Sequence, residues 1–379
     1  MLFNTKNITR ADLQALIDNQ VFENRELEYK NYSFVDGKFT LPDKEKNRFM
    51  KEIAAFANTN GGTIIVGMQE DENRLPTRLS GVGMGLGDFD SWLSSFKQMV
   101  LSRIRPHLHG IDCVPVELDN DNIAIVISIP KSYARPHSFW DGNKDEFFMR
   151  HVNGLMYMDI DDLRKEFLYT NGLQDKIRDF KRERISLILA NECVGDLGNL
   201  AKLVVHIIPE WSFELGNTVD LKQIDGNPSV HPLSGSCWNH RYNADGYCIF
   251  DIDYSTNQIK TYTQFFRSGI IEATEIRCIS GYKDKEVFKW HSLQGQLMRI
   301  ITDYGDHLEM LNVPKPWHIS ATLLNAKGYV TKIGLDTSAP IERDIVNSLE
   351  SICTEEHSLQ DALKEVFNSL SNAFGIAYE

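Results

Sequence analysis

The feature that most constrains the fold of this 379-residue chain is a helix that must stop abruptly and continue directly as a buried strand. The stretch Ala54-Ala-Phe-Ala-Asn-Thr-Asn-Gly-Gly62 ends on two glycines, and an apolar run at 63–67 follows without a spacer. Glycine ends helices because it adopts left-handed backbone conformations at little cost. A short apolar run bounded by such a turn is typical of a buried strand. The segment therefore predicts a helix–turn–strand unit in which Gly61 or Gly62 has a positive φ.

Helical and extended patterns alternate on both sides of this unit, which indicates an α+β fold with a mixed sheet and flanking helices. Thr9 and Pro42 are typical of the first residues of helices. The predicted helices span 10–19, 42–58, 89–104 and 161–169, and the predicted strands span 26–34, 113–118, 123–129 and 147–151. Together they define a first domain over residues 1–170.

The rest of the chain has a different composition, with longer strand-like runs separated by polar turns. We expect a connecting basic helix within 171–195 and a second domain, mixed α/β, over 196–379. Its predicted strands are 203–208, 246–254, 258–266, 270–279 and 317–324, and its predicted helices are 286–311, 341–353 and 359–374. No motif in this half indicates a function.

Two stretches of the first domain together resemble the Schlafen-type AlbA-like domain. One is Glu23-Asn-Arg-Glu-Leu-Glu28-Tyr-Lys30, and the other is the glycine-terminated helix with its strand. The family pattern continues with an acidic turn, which here reads Gly67-Met-Gln-Glu70-Asp71, and with a later strand, Phe147-Phe-Met-Arg150. The resemblance covers about residues 15–170. It implies a protein that acts on or binds nucleic acid.

The resemblance also implies a chemistry, because Schlafen nucleases use three carboxylates to bind a divalent metal and cleave structured RNA such as tRNA. Glu23 and Glu28 match the first two acids. The third is Asp71 or Glu70, or its place is taken by Gln69. The implied cofactor is Mg²⁺ or Mn²⁺, since hard cations prefer oxygen ligands. Lys30 and Arg150 would face the phosphate backbone.

The spacing of Glu23 and Glu28 does not by itself decide whether their carboxylates meet in one site. Residues five apart point to opposite faces of a strand, so Glu23 and Glu28 converge only where the chain turns near Asn24-Arg25. The alternative is that Glu23, Glu26 and Glu28 form a solvated strand edge without chemical function.

The charge balance restricts how nucleic acid would bind. The net charge is −13, with 40 basic against 53 acidic residues, so the whole surface does not attract a polyanion. A local patch is needed. The densest is the helical run from Lys176 to Arg184, which includes Lys181 and Arg182. Such a run is usually a solvated helix face, and here it is the second candidate for nucleic-acid contact.

Other motifs argue against alternative chemistries. The glycine-rich run 81–87 fits neither a P-loop nor a dinucleotide fingerprint, and no Walker lysine accompanies it. His231, Cys237 and His240 lie close together in sequence but lack a fourth metal ligand. Neither a secretory signal nor a run of about 18 apolar residues is present, so we expect a cytoplasmic protein.

The sequence is consistent with three functions. The first is a metal-dependent endoribonuclease acting on RNA such as tRNA, in a stress or anti-phage role, with a homodimer supplying a second lobe. The second is a non-catalytic transcriptional regulator that binds RNA or DNA and uses its C-terminal domain for sensing. The third is an effector whose activity lies in the C-terminal domain.

Overall fold

The computed structural model describes residues 8–34, 41–151, 154–235, 238–276, 278–282 and 285–377. Its internal contacts divide the chain into two compact units, with the division after Gly172. Each unit has its own hydrophobic clusters. None of the helices in this part of the chain is long and apolar enough to cross a membrane.

The first unit is an α+β arrangement, as the sequence predicts. In chain order its elements are α1 (Arg10–Asp18), β1 (Leu27–Lys30), α2 (Asp43–Ala57), β2 (Gly62–Val66), β3 (Met68–Glu70), β4 (Pro76–Leu79), α3 (Phe89–Arg103), β5 (Ile104–Arg105), β6 (Asp112–Leu118), β7 (Asn122–Ile129), β8 (Ser138–Trp140), β9 (Asp145–His151), β10 (Gly154–Tyr157) and the start of α4 (Ile160–Leu189).

The central sheet of this unit has the order β1-β2-β7-β6, in which β1 is parallel to β2 and the other pairs are antiparallel. A second sheet has the order β10-β9-β8-β5, and β3 and β4 form a separate hairpin. Side chains alternate across the central sheet, because successive residues of a strand point to opposite faces. Leu27, Tyr29 and Ile65 pack with α1, whereas Ile64 and Val66 pack with α2 and α3.

The second unit is built on a larger antiparallel sheet. Its elements are β11 (Lys202–Pro209), β12 (Asn239–Tyr242), β13 (Gly246–Asp253), β14 (Gln258–Phe266), β15 (Ile271–Glu275), β16 (Ile279–Tyr282), β17 (Lys285–Phe288), α5 (Trp290–Met310), β18 (Trp317–Leu324), β19 (Val330–Ile333), β20 (Asp336–Thr337), β21 (Ile345–Asn347), β22 (Ser351–Cys353) and α6 (Leu359–Ser371). The order is β12-β13-β14-β15-β11-β18-β21, and β22 also pairs with β18.

The two faces of the large sheet are covered by different helices. Leu203 and Val205 of β11 belong to the same cluster as α5 and α6. Val204 of the same strand belongs to the cluster that contains Ile188 of α4. This strand is therefore buried on both faces, as its unbroken apolar run predicts.

Two sequence predictions need correction. The helix predicted at 161–169 and the connecting basic helix predicted within 171–195 are one continuous helix, α4. A glycine inside a helix costs about 1 kcal/mol, but burial of Leu173 and Ile177 just beyond Gly172 offsets that cost. The predicted helix at 341–353 is wrong, because this segment supplies β21 and β22 to the edge of β18. Its β-branched residues, such as Ile345 and Ile352, suit a strand.

Candidate functional site

The site lies along β1, and a tight turn ahead of this strand shapes it. Asn24 and Leu27 exchange backbone hydrogen bonds of 3.0 and 3.4 Å across Arg25 and Glu26. The chain therefore turns near Asn24-Arg25, as convergence of Glu23 and Glu28 requires, and Glu23 lies beside the strand. Its Oε1 accepts a hydrogen bond of 2.7 Å from the backbone N–H of Tyr29.

Glu28 lies at the centre of a buried charge network rather than on a solvated edge. Its Oε1 accepts a hydrogen bond from Lys30 Nζ, and its Oε2 lies 2.8 Å from a terminal nitrogen of Arg150. All three residues are at most 7% exposed. Burial by itself would raise the pKa of Glu28, but the two cations outweigh burial and hold that pKa below its usual value. Glu28 is therefore an ionised, fully partnered carboxylate, and the alternative of a solvated strand edge is wrong.

Glu52 of α2 completes this network, and it is not among the residues predicted from the sequence. It is buried, with Oε1 3.3 Å from Lys30 Nζ and 3.2 Å from Arg48 Nε. Burial raises its pKa to about 7, although Lys30 opposes this shift. The available signal was a charged residue inside an apolar helical stripe, three positions after Phe49 and four before Phe56.

The end of the glycine-terminated helix positions Arg150. The Arg150 guanidinium lies 4.4 Å from the centre of the Phe56 ring. Its backbone N–H donates to Thr59 Oγ1 at 2.9 Å, and its side chain donates to the Asn24 carbonyl at 2.9 Å. Phe56 and Thr59 therefore hold Arg150 against Glu28.

Asn58 of the same motif joins the helix end to the second sheet. Its amide donates to the carbonyls of His137 and Phe148 at 2.8 and 2.9 Å, and it accepts from the His137 N–H at 2.6 Å. The glycines then allow close approach of the backbone. Gly61 has φ 71°, as predicted, and a Cβ there would lie 2.6 Å from the Ile129 carbonyl oxygen.

Glu23 is the most electrostatically perturbed acid at the accessible edge of the site. Burial raises its pKa to about 7, and the neighbouring charge of Glu28 adds to the shift, with a smaller contribution from Glu70. The Tyr29 N–H and the Lys30 charge oppose it. Glu23 is half-buried, whereas Glu70 is exposed. These carboxylates interact electrostatically, and protonation of Glu23 relieves the repulsion near neutral pH.

The two candidates for the third acid have different surroundings. Asp71 Oδ1 accepts the backbone N–H groups of Asn73 and Leu75 at 2.8 and 2.9 Å, so this carboxylate stabilises the turn between β3 and β4. Glu70 precedes that turn and acts on the charges of Glu23 and Tyr29. Asp71 is therefore part of the hairpin turn, whereas Glu70 is exposed and acts electrostatically on Glu23.

The described side chains contain no group of three His, Cys, Asp or Glu residues arranged to hold a metal ion. The set Glu23, Glu28 and Asp71 therefore stays a prediction. Glu28 in particular has both oxygens engaged by Lys30 and Arg150.

The predicted phosphate-binding residues fall into two groups. Lys30 and Arg150 are buried against Glu28, so in this conformation they do not face a nucleic-acid backbone. Lys176 and Arg182 are exposed on α4 in the second unit, and Lys181 there pairs with Glu350. Of the His231, Cys237 and His240 cluster, Cys237 lies outside the described residues.

Residues 23–158 match the family model described as Schlafen, AlbA_2, which confirms the resemblance for this segment. The match covers the first unit and not the second. A search of curated proteins finds no significant match.

Solved structures with local similarity are also found. The DIP2311 protein from Corynebacterium diphtheriae is 16% identical, with 39% of this chain and 26% of that chain covered and a TM-score of 0.26. The N-terminal domain of a RecG-related protein from Nitrosomonas europaea is 18% identical, with 33% and 78% covered and a TM-score of 0.25. The chain thus spans about a quarter of the length of the first of these proteins.

Proposed function

We propose that this chain is a nucleic-acid-binding protein and that its first unit makes the contact through the β3–β4 hairpin. The family match supports a nucleic-acid-related function in general. The assignment to the hairpin rests on the exposure of Arg74 and Arg78 and on their lack of ion-pair partners among the described residues. The Arg74 carbonyl accepts the Glu23 N–H at 3.4 Å, so the hairpin adjoins the acidic edge.

Lys30 and Arg150 have a different part in this proposal. Buried cations that are paired with carboxylates do not release counterions from a nucleic acid, whereas exposed arginines do. Lys30 and Arg150 therefore stabilise the shape of the domain, and the exposed arginines supply affinity. Lys176, Lys181 and Arg182 of α4 remain a second predicted contact.

The test is binding of labelled tRNA and of double-stranded DNA by fluorescence anisotropy, in EDTA and at two salt concentrations. Arg74→Asn with Arg78→Thr removes both charges and suits the backbone, because Asn tolerates the φ of 62° at position 74. We expect weaker binding of every sequence and a salt slope smaller by about two units. Arg10→Gln with Lys44→Gln removes two exposed charges elsewhere in the unit and is the control.

Equal losses for the two double variants would show only a net-charge effect and would contradict the assignment to the hairpin. The comparison of tRNA with DNA also decides which nucleic acid is preferred.

A second candidate function is a metal-dependent endoribonuclease, and the raised pKa of Glu23 favours it. A half-buried carboxyl group beside two other acids is a site where a divalent cation would replace a proton. Glu23 and Glu70 have the chemistry to hold Mg²⁺ or Mn²⁺, since magnesium commonly uses one or two carboxylates and keeps several waters. The negative charge of Glu28 is already balanced by Lys30 and Arg150, so its role here is to hold those two side chains in place. The metal would supply an activated water.

This candidate is tested by incubating the protein with total tRNA and with DNA, plus Mg²⁺ or Mn²⁺, against an EDTA control. Glu23→Gln and Glu70→Gln should each abolish cleavage and leave tRNA affinity equal or higher. Asp71→Asn keeps the turn and should retain activity. A Glu23→Gln protein that cuts at the wild-type rate would end the nuclease proposal. Homodimerisation and a stress or anti-phage role are further proposals, the former measurable by light scattering.

A further inference from the structure

The second unit contains a groove that neither the β3–β4 hairpin nor the acidic site uses, although Lys181 and Arg182 of the second predicted nucleic-acid contact line it. One wall is a face of α4, on which Arg178, Lys181, Arg182, Ile185 and Leu189 follow at helical spacing. The other wall is formed by the middle of β18 and by β21 with Ser348. The cavity measures about 470 Å³. This volume lies within the range of about 300–1,000 Å³ that is typical of small-molecule sites.

One end of the groove is basic. Lys181 pairs with Glu350, whose Oε1 in turn lies 2.7 Å from Nδ1 of His318 on β18. This chain of contacts places the Arg178–Arg182 turn of α4 beside the first half of β18. The described residues that line the groove include three cations and no carboxylate. The Ser320 hydroxyl and the Asn347 side-chain amide add polar donors there, while the Ser348 hydroxyl donates to the Leu349 carbonyl at 2.6 Å.

The opposite end is apolar. Ile188 of α4 packs in one cluster with Leu324, the last residue of β18, and Ile345 of β21 pairs with Leu324. Leu189 and Ile345 both line the groove and remain 44% and 41% exposed. An apolar group of a ligand that lay between Leu189 and Ile345 would bury this exposed apolar surface.

Two of the three cations, Arg178 and Arg182, have only exposed ion-pair partners in the described part of the chain, whereas Lys181 is held by Glu350. Arg178 contacts Asp175 at 2.7 Å and Arg182 contacts Asp179 at 3.6 Å, both on the exposed face of α4. Exposed pairs of this kind contribute little stability. A phosphate group would compete with them effectively, because arginine binds phosphate in a bidentate manner.

We propose that this groove binds a nucleoside phosphate, with its phosphates at the Arg178–Lys181–Arg182 end and its base between Leu189 and Ile345. The proposal goes beyond nucleic-acid binding by the first unit, because it assigns a small-molecule site to the second. It follows from the combination of a basic end, an apolar end and a volume too small for a folded nucleic acid.

The test is calorimetric titration of the full chain with ADP, GDP, CDP and UDP in EDTA, with adenosine and inorganic phosphate as partial ligands. We expect at least one nucleotide to bind tenfold or more tightly than either partial ligand. Arg178→Ser with Arg182→Ser should weaken that binding at least tenfold. Leu189→Ser should weaken nucleotide binding several-fold and leave phosphate binding unchanged.

Arg164→Ser is a matched control, because Arg164 lies on the same helix and pairs with Asp161 at 2.8 Å with similar exposure. It should bind nucleotide like the wild type. The absence of saturable binding by all four nucleotides at millimolar concentration would overturn the proposal, as would an equal loss in Arg164→Ser. The hairpin variants Arg74→Asn and Arg78→Thr should keep nucleotide binding, so failure here and failure of the nucleic-acid proposal are distinguishable.

Discussion

At the scale of single residues, Glu23 combines three destabilising influences on a negative charge. It is half-buried, and the carboxylates of Glu28 and Glu70 act on it. Its pKa of about 7 in the folded chain, against 4.5 as the ordinary value, means that the folded protein holds a proton there which the unfolded chain releases. Stability therefore falls as the pH rises from about 4.5 to about 7, through the range between the two pKa values.

Glu23→Gln should consequently stabilise the protein at pH 8 and change little at pH 5. Glutamine resembles the protonated acid and still accepts the Tyr29 N–H. Because the side chain is partly exposed, we expect about 1 kcal/mol at pH 8 after solvent screening. Urea unfolding at both pH values measures the difference. An equal effect at the two pH values would contradict the raised pKa.

Magnesium provides a second readout that does not depend on catalysis. If Glu23 and Glu70 bind the ion, added Mg²⁺ raises the midpoint of unfolding of the wild type at pH 8 and not that of Glu23→Gln.

Glu28 shows why an acid predicted from a motif is a poor choice for a catalytic knockout. Removing its charge leaves Lys30 and Arg150 buried without their partner. Breaking a buried ion pair in this way costs about 3–5 kcal/mol. Loss of activity in Glu28→Gln would therefore report on folding as much as on chemistry. For this reason the cleavage test uses Glu23→Gln and Glu70→Gln.

At the scale of elements, the turn from α2 to β2 depends on one glycine. Gly61 has φ 71°, and an added Cβ would lie 2.6 Å from both the Ile129 carbonyl oxygen and the Lys131 nitrogen. The helix end and the β7 edge therefore approach each other as closely as glycine permits.

Gly61→Val should destabilise the first unit by at least about 2 kcal/mol, because the left-handed penalty for a side chain adds to the backbone clash. Gly87→Ala is the control, since no atom lies within 4 Å of a Cβ there. It should change the free energy of unfolding by less than about 0.5 kcal/mol. Urea unfolding of the two variants compares them, and a Gly61→Val protein as stable as the wild type would refute this account of the turn.

At the scale of the whole molecule, each of the two units has hydrophobic clusters of its own. Two clusters draw their described members from the first unit and two from the second. The second unit also has its own buried ionic centre, where Glu272 contacts Arg184 at 2.9 Å and His206 at 3.0 Å.

We therefore expect two calorimetric transitions on heating. Gly61→Val should lower the temperature of one transition, and Glu272→Gln, which leaves Arg184 without its buried partner, should lower the other. A single transition that both variants shift equally would show that the units unfold together.

The sequence by itself determined the elements that depend only on residues close to each other in the chain. The periodicity of 10–19, the glycine pair after Asn58 and the apolar run 63–67 predicted α1, the α2–β2 turn and β2, because caps, turns and alternation act within a few residues. The motif in the first domain likewise indicated the AlbA-like class and drew attention to Glu23 and Glu28.

Tertiary structure alone decided the surroundings of those two acids. Arg150 and Glu52 are distant in sequence from Glu28 and reach it only through folding, so no spacing rule could show that Glu28 is neutralised. The strands β21 and β22 form because the edge of β18 offers hydrogen bonds to a segment with a helical pattern. Burial and neighbouring charges raise the pKa of Glu23. The basic and apolar ends of the groove are formed by side chains of α4, β18 and β21. Both features depend on where distant segments of the chain meet.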